Sequence, residues 1–161
     1  MEFRTKTTHP APSDARLAQL EDVFRLKLPE SYVAALRAGN GGQPVRPCFE
    51  QGKRERMIER MLPIFDDFNA HGATGAYDVE VVAGQIDDRL TDDLGLVGLK
   101  VLPIAALFGG DFVCLDFRAD PDAPSVAVWD HEESRPLLPH LETVAPSFEV
   151  FASMLHHPRT L

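Results

Sequence analysis

The sequence has little cysteine and no long apolar run. Only Cys48 and Cys114 are present, 66 positions apart, so the chain lacks the Cys-x-x-Cys half-site of structural zinc domains. Two cysteines in 161 residues, a length that can form its own core, indicate reduced thiols rather than a disulfide framework. No apolar run near Met1 resembles a secretory signal, and none approaches the length of a membrane span. These absences predict a cytoplasmic protein.

Catalytic signatures are also missing. The chain contains no Gly-x-Ser-x-Gly, no Gly-Lys-Ser/Thr and no His-Glu-x-x-His. Its strongest candidate for a metal or acid–base site is Asp130-His131-Glu132-Glu133, but neighbours in an extended strand point to opposite faces. Asp116, Asp120 and Asp122 lack the spacing and the glycine of a calcium loop. We therefore expect no catalysis, no cofactor and no metal.

Two aromatic or imidazole features have structural explanations. His156 and His157 lie at the end of a predicted helix, where adjacent side chains point about 100° apart. They could bind a metal, but a frayed, solvated helix end explains them better. Trp129, the only tryptophan, lies in an alternating apolar strand pattern. It is expected in the core, with a binding anchor as the alternative.

Positive charge is scarce in the second part of the chain. The net charge is −9, but residues 1–60 hold 11 Lys/Arg and 8 Asp/Glu, whereas residues 61–161 hold 5 and 17. An acidic surface repels phosphates and anionic membranes and attracts basic proteins. The balance therefore argues against direct binding of nucleic acid or membranes and favours a basic protein partner. The alternative is that the charge only maintains solubility.

The spacing of apolar residues predicts four helices in one domain. After an irregular lead-in over residues 1–12, Ser13 caps the first helix. Pro29 takes the first position of the second helix, and Gly39 ends it in a left-handed conformation. Pro146 opens the last helix. The apolar stripes, in chain order, are Leu17, Leu20, Val23 and Phe24; Leu28, Tyr32, Ala35 and Leu36; Val79, Val82, Ala83, Ile86 and Leu90; and Phe148, Phe151, Ala152 and Leu155.

Short apolar segments bounded by Gly, Pro and Asp predict a mainly antiparallel sheet. The strands are expected over residues 57–65, 101–105, 112–117, 125–130 and, as a short edge strand, 135–138. Asp120-Pro121-Asp122-Ala123-Pro124 is a suitable hairpin connection between the third and fourth of them. The fold class is thus α+β: a single domain over residues 13–161, with a twisted sheet flanked by an N-terminal helix pair, a middle helix and a C-terminal helix.

Four motifs in order resemble those of the SUKH superfamily, which includes Smi/Knr-type regulators of fungal cell-wall synthesis and many bacterial immunity proteins. The first comprises Leu28-Pro29, Tyr32, Leu36 and Asn40-Gly41-Gly42; the others are Gly110–Asp116, Val126–Glu132 and Ser147–Phe151. The resemblance covers roughly residues 14 to 156 and is loose over residues 50–100, where members would differ in partner. It implies a non-enzymatic protein-binding module.

The resemblance and the charge together suggest an immunity protein that occludes the basic surface of a cognate toxin, possibly a nuclease. We expect it to be a monomer or weak dimer. The expected contact residues are the acids of the middle helix and those after the fourth strand: Asp78, Glu80, Asp87, Asp88, Asp92, Asp93, Asp130, Glu132 and Glu133. For any one of them, a solvated surface is the competing interpretation. The alternative function is an intracellular regulatory or scaffold domain of the Smi/Knr type.

Overall fold

An antiparallel sheet of six strands forms the centre of the molecule. The computed structural model describes residues 1–160. Every neighbouring pair of strands is antiparallel, and the order in space is the order in the chain. The elements are α1 Asp14–Phe24, α2 Glu30–Gly39, β1 Cys48–Gln51, β2 Arg54–Met61, a 3₁₀ segment Phe68–Tyr77, α3 Val79–Gln85, a 3₁₀ turn Asp87–Arg89, β3 Val101–Leu107, β4 Phe112–Asp116, β5 Ser125–Trp129, β6 Leu141–Ala145 and α4 Phe148–Met154.

The two faces of the sheet are covered by different parts of the chain. Side chains alternate between faces along a strand, so Leu102 and Leu115 pack with the helices in the main core. Val101, Cys114 and Trp129 form a second cluster on the opposite face with Leu90. The predicted α+β arrangement is confirmed. None of the helices in residues 1–160 has the length and apolar character needed to span a bilayer.

The helix ends differ in detail from the prediction. Pro29 is the N-cap of α2 and not its first residue. Gly39 is the last helical residue, and the left-handed conformation lies at Gly41, with φ +69°. A Cβ on Gly39 would lie 2.1 Å from a ring carbon of Phe3, so Gly39 permits close packing. Val23, placed in the α1 stripe, is 49 % exposed.

The middle helix is shorter than predicted. The helix over Val79–Leu90 ends at Gln85, and a separate 3₁₀ turn follows. Val79 and Val82 pack in the main core, whereas Leu90 packs with the second cluster on the other face of the sheet. One straight helix cannot reach both faces, so the chain turns after Gln85.

The edge strand predicted over residues 135–138 lies elsewhere in the structure. Residues 135–138 contribute a single bridge between Arg135 and Leu138, and the edge strand β6 lies at Leu141–Ala145. Pro136 and Pro139 break the earlier segment because proline cannot donate to a ladder. The strand predicted over residues 57–65 begins earlier, at Arg54, and ends at Met61. The irregular lead-in is docked through bridges from Phe3 and His9 to residues 44 and 40.

Candidate protein-binding surface

Trp129 anchors the segment over residues 86–100 to the outer face of the sheet. Its side chain is 1 % exposed, so the prediction of a core role is confirmed. The indole Nε1 donates a hydrogen bond of 2.9 Å to the Arg89 carbonyl. The Arg89 guanidinium lies over the indole ring, 4.9 Å from its centroid. The apolar ring and its polar tip thus fix the position of the 3₁₀ turn.

Arg89 also joins this segment to the loop after β5. Its guanidinium donates to the carbonyls of His131 and Ser134, the latter at 3.0 Å. In return, the Leu137 N–H donates to the Asp88 carbonyl at 2.7 Å. The segments over residues 86–100 and 130–138 therefore form one continuous surface. We call this the acidic surface.

The structure brings together most of the acids predicted to contact a partner. Exposed carboxylates from both segments lie on the acidic surface, namely Asp87, Asp88, Asp92, Asp93, Glu132 and Glu133. Asp130 lies there too but is half-buried, and its Oδ1 accepts hydrogen bonds of 2.9 Å from the Glu132 and Glu133 N–H groups. Asp130 therefore shapes the loop on which two of the exposed acids lie.

The prediction that Asp78 contacts a partner is wrong, because its side chain is 0 % exposed. Its carboxylate accepts hydrogen bonds of 2.8 Å from the Phe65 and Glu80 N–H groups. Arg16 lies 3.5 Å from Asp78 Oδ1 and 2.8 Å from Glu80 Oε2. Burial raises the pKa of Asp78, against the effect of the backbone hydrogen bonds. Asp78 and half-buried Glu80 thus connect α1 to α3, away from the acidic surface.

The acidic surface also exposes apolar side chains, which the sequence reasoning missed. Leu94 is 85 % exposed, Val97 70 % and Leu138 65 %. A depression of about 190 Å³ lies in this surface. Its lining combines carboxylates with leucines: Asp87, Asp88, Asp93, Leu94, Leu96, Leu99 and Leu137. Charged residues around exposed apolar ones are typical of protein interfaces. Leu94 and Val97, set among aspartates without helical periodicity, were the only signal in the sequence.

A polar network lies beside the acidic surface, at the turn between β3 and β4. Asp111 accepts from Arg56 Nη2 at 2.6 Å, from the His131 N–H at 2.9 Å and contacts His131 Nδ1 at 2.6 Å. Burial alone would raise the pKa of Asp111, but these hydrogen bonds outweigh it and lower the pKa. One potential ligand atom from each of Asp111, Asp130 and His131 lies within 4.8 Å of the other two, a spacing that would suit a metal ion. Because Arg56 already neutralises Asp111, we assign this network a structural role.

Most of the chain matches a known protein family. A family model described as SMI1-KNR4 cell-wall, one of the SUKH models, matches residues 14–151. The chain belongs to the SUKH superfamily. No curated protein and no solved structure gave a significant match. The match begins at α1 and ends within α4, so it includes all six strands of this SUKH protein.

The first SUKH motif of this chain is structural. Asn40 is 1 % exposed, and its Nδ2 donates to the carbonyls of Pro10 at 2.9 Å and Ile64 at 2.8 Å. Its Oδ1 accepts from the Ile64 N–H at 2.9 Å. Asn40 thus joins the lead-in, the end of α2 and the segment after β2. The motif therefore specifies the fold and does not identify the partner.

Proposed function

We propose that this SUKH protein is a non-enzymatic immunity protein that binds a cognate bacterial toxin and blocks the toxin's basic surface. The proposal is supported by the acidic surface, where exposed carboxylates surround exposed leucine and valine side chains. A nuclease toxin is the favoured partner because its substrate groove must be basic to bind phosphates. Binding alone inactivates such a toxin, so no turnover is required.

The two parts of the acidic surface have different tasks in this proposal. Carboxylates such as Asp88 and Asp92 attract the basic toxin at a distance, which accelerates association and disfavours acidic partners. Leu94 and Val97 supply apolar area that loses water only in the complex, which slows dissociation. Charge therefore governs the association rate, and apolar contact governs the lifetime of the complex.

The proposal includes a cellular setting. The protein acts in the cytoplasm as a monomer or weak dimer, and it contacts neither nucleic acid nor membranes directly. The excess of 17 Asp/Glu over 5 Lys/Arg in residues 61–161 supports this choice of partner. A net negative surface repels both alternatives.

A regulatory or scaffold role of the Smi/Knr type is the second candidate. The description of the matched family, SMI1-KNR4 cell-wall, favours it. The two candidates differ in the partner and not in the fold. A regulator would bind intracellular regulatory proteins, whereas an immunity protein would bind one toxin.

The first experiment identifies the partner. The tagged protein is used to capture proteins from a lysate of its native host at low and high salt, with identification by mass spectrometry. Immunity predicts one basic toxin domain that is retained at low salt, weakened at high salt and inactive in the complex. Capture of cytosolic regulatory proteins would favour the scaffold role, and a captured toxin that stays active would contradict the proposal.

The second experiment tests the surface with the captured partner. Asp88→Lys/Asp92→Lys is the informative double variant because both side chains are exposed and neither carboxylate makes a hydrogen bond within residues 1–160. We expect an association rate at least tenfold lower at low salt and a weaker salt dependence. The matched control, Glu30→Lys/Glu149→Lys, reverses two exposed acids of α2 and α4 on the helical side of the sheet.

The apolar part is tested separately. Leu94→Ser/Val97→Ser should raise the dissociation rate at least tenfold and change the association rate little. If the Asp88/Asp92 variant and the Glu30/Glu149 control bind alike, the acidic surface is not the interface.

A further inference from the structure

His156 lies in an extended segment paired with β1, and not at a frayed helix end as the sequence suggested. Helix α4 ends at Met154. The His156 N–H donates to the Cys48 carbonyl at 2.9 Å, and the Cys48 N–H donates to the His156 carbonyl at 3.1 Å. Because this bridge fixes the backbone, the His156 ring is held against one face of the hairpin formed by β1 and β2.

That face carries two carboxylates opposite each other. Glu50 and Glu55 are register partners across the two strands. Like charges in directly opposed positions destabilise a strand pair. A cation between or beside the two carboxylates would therefore stabilise the hairpin.

The His156 ring presents a lone pair to these carboxylates. Its Nδ1 lies 2.7 Å from the His157 carbonyl, which can only accept, so Nδ1 carries the proton. In the neutral ring, Nε2 is then an acceptor, and it faces Glu50 Oε1 at 3.5 Å. Both atoms are buried, and within residues 1–160 neither has a hydrogen-bond partner. Arg159 neutralises Glu50 Oε1, but no donor in the described residues reaches Nε2, and a buried lone pair that faces a carboxylate oxygen is unfavourable unless a positive species lies between them.

Arg159 supplies part of the positive charge. Its guanidinium lies 2.8 Å from Glu50 Oε1 and 3.7 Å from Glu55 Oε2, without the alignment of a hydrogen bond to Glu50. The Arg159 side chain is 68 % exposed, so it can move into solvent at little cost. The His156 Nε2 lone pair still has no hydrogen-bond donor within residues 1–160.

We propose that Glu50, Glu55 and His156 bind a divalent transition-metal ion, with Zn²⁺ as the reference ion, which clamps residues 155–160 onto the β1–β2 hairpin. One ligand atom from each lies within 4.8 Å of the others. Tetrahedral Zn²⁺ with bonds of about 2.1 Å separates its ligand atoms by about 3.4 Å. The His156 Nε2 to Glu50 Oε1 distance of 3.5 Å already matches that separation.

The surrounding chemistry selects the class of ion. A metal-binding histidine usually donates its other N–H to a carbonyl or carboxylate, as His156 Nδ1 does to His157. A nitrogen ligand with two carboxylates suits Zn²⁺, whereas Mg²⁺ and Ca²⁺ prefer oxygen ligands only. Water completes the coordination when the ion displaces Arg159.

The test uses the full chain, freed of metal by chelation and titrated with Zn²⁺ by isothermal calorimetry and thermal unfolding. We expect one tight site, and a Tm higher by about 5 to 10 °C at a Zn²⁺ concentration of 100 times the Kd. Mg²⁺ should give no shift. His156→Ala and Glu55→Gln should each weaken Zn²⁺ binding at least tenfold.

Matched variants separate this site from other histidines. His157→Ala removes the adjacent ring but keeps the carbonyl that orients His156, so Zn²⁺ affinity should not change. His131→Ala, at the Asp111 network, should not change it either. Arg159→Ala should tighten binding several-fold, since it removes the competing cation.

Three results would overturn the proposal. The first is an absence of stoichiometric Zn²⁺ binding, and the second is equal affinity in the His156→Ala and His157→Ala variants. The third is a stability that depends on His156 and pH but not on Zn²⁺. In that case a protonated imidazole, and not a metal ion, would hold the two glutamates together.

Discussion

Replacement of Asn40 by alanine tests the main structural role assigned to the first SUKH motif. The Asn40 side chain makes three hydrogen bonds, two donated to carbonyls and one accepted from the Ile64 N–H. All three lie within 2.9 Å, and the side chain is fully enclosed. Alanine removes the three bonds and leaves both polar backbone groups of Ile64 without this partner.

The expected cost follows from these contacts. Each hydrogen bond contributes about 0.5 to 1.5 kcal/mol net, and a buried group left without a partner costs about 1 to 3 kcal/mol. Because water cannot easily reach Ile64, which is 0 % exposed, the upper part of the range applies. We expect Asn40→Ala to lower the free energy of unfolding by about 3 to 5 kcal/mol. The Tm should fall by roughly 6 to 20 °C.

Urea unfolding of the purified chain, followed by circular dichroism, measures this loss. Asn69→Ala is the matched control because Asn69 is exposed and its side chain makes no hydrogen bond within the described residues. The control should change the free energy of unfolding by less than about 0.5 kcal/mol. A loss below about 1 kcal/mol for Asn40→Ala would refute the structural role assigned to this side chain.

Asn40→Asp separates hydrogen bonding from packing. The carboxylate keeps the acceptor toward the Ile64 N–H but faces the carbonyls of Pro10 and Ile64 with a negative charge. We expect this variant to be less stable than Asn40→Ala at pH 7 and to recover stability as the pH falls, since protonation restores a donor. Equal pH profiles for the two variants would show that the donated bonds contribute little.

Three further substitutions test the core, the polar network and the base of the acidic surface. Phe151→Ala should lower the free energy of unfolding in urea by about 3 to 5 kcal/mol, because this fully buried ring packs against the Phe49 ring with 5.1 Å between the ring centroids. Asp111→Asn should cost about 3 to 5 kcal/mol at pH 7 by leaving buried Arg56 without its counter-charge. Folding lowers the pKa of Asp111, so the ionised carboxylate stabilises the fold above its unfolded pKa of 3.8, and this stabilisation is lost as the pH falls through the folded-state pKa. The Asp111→Asn variant should therefore lose less stability in acid than the native chain. Trp129→Phe removes the hydrogen bond to the Arg89 carbonyl and should speed amide hydrogen exchange over residues 87–93, with β3 unchanged.

Local sequence signals were sufficient to locate the elements whose ends are set by residues close to them in the chain. Ser13 and Ser147 accept hydrogen bonds from the third residue after them, and each opens the helix predicted there, although the last helix was assigned to Pro146. The β4–β5 hairpin was predicted from alternating apolar residues and a Pro- and Asp-rich connection, and it has a regular register. In these places short-range chemistry determines structure.

Elements that depend on distant partners could not be located from the sequence. Helical periodicity placed Val79 and Leu90 on one face, but it carries no information about which layer a residue joins. Leu90 instead packs with Trp129 on the other side of the sheet. In the same way, Asp78 has the sequence pattern of an exposed helix start, but Arg16 and the Phe65 N–H, which are distant in sequence, pack against it and bury it.

The acidic surface could be predicted in part because most of its carboxylates are exposed, as charged side chains without a buried partner usually are. Within residues 1–160 neither Asp88 nor Asp92 forms an ion pair within 4.0 Å, and the charge of Asp92 helps to raise the pKa of Arg118. Because both side chains are exposed, we expect Asp88→Lys/Asp92→Lys to change the free energy of unfolding by less than about 0.5 kcal/mol, as measured in urea, while partner association slows. A loss of more than about 1 kcal/mol would show instead that the two carboxylates stabilise the fold, and the charge would then need no partner.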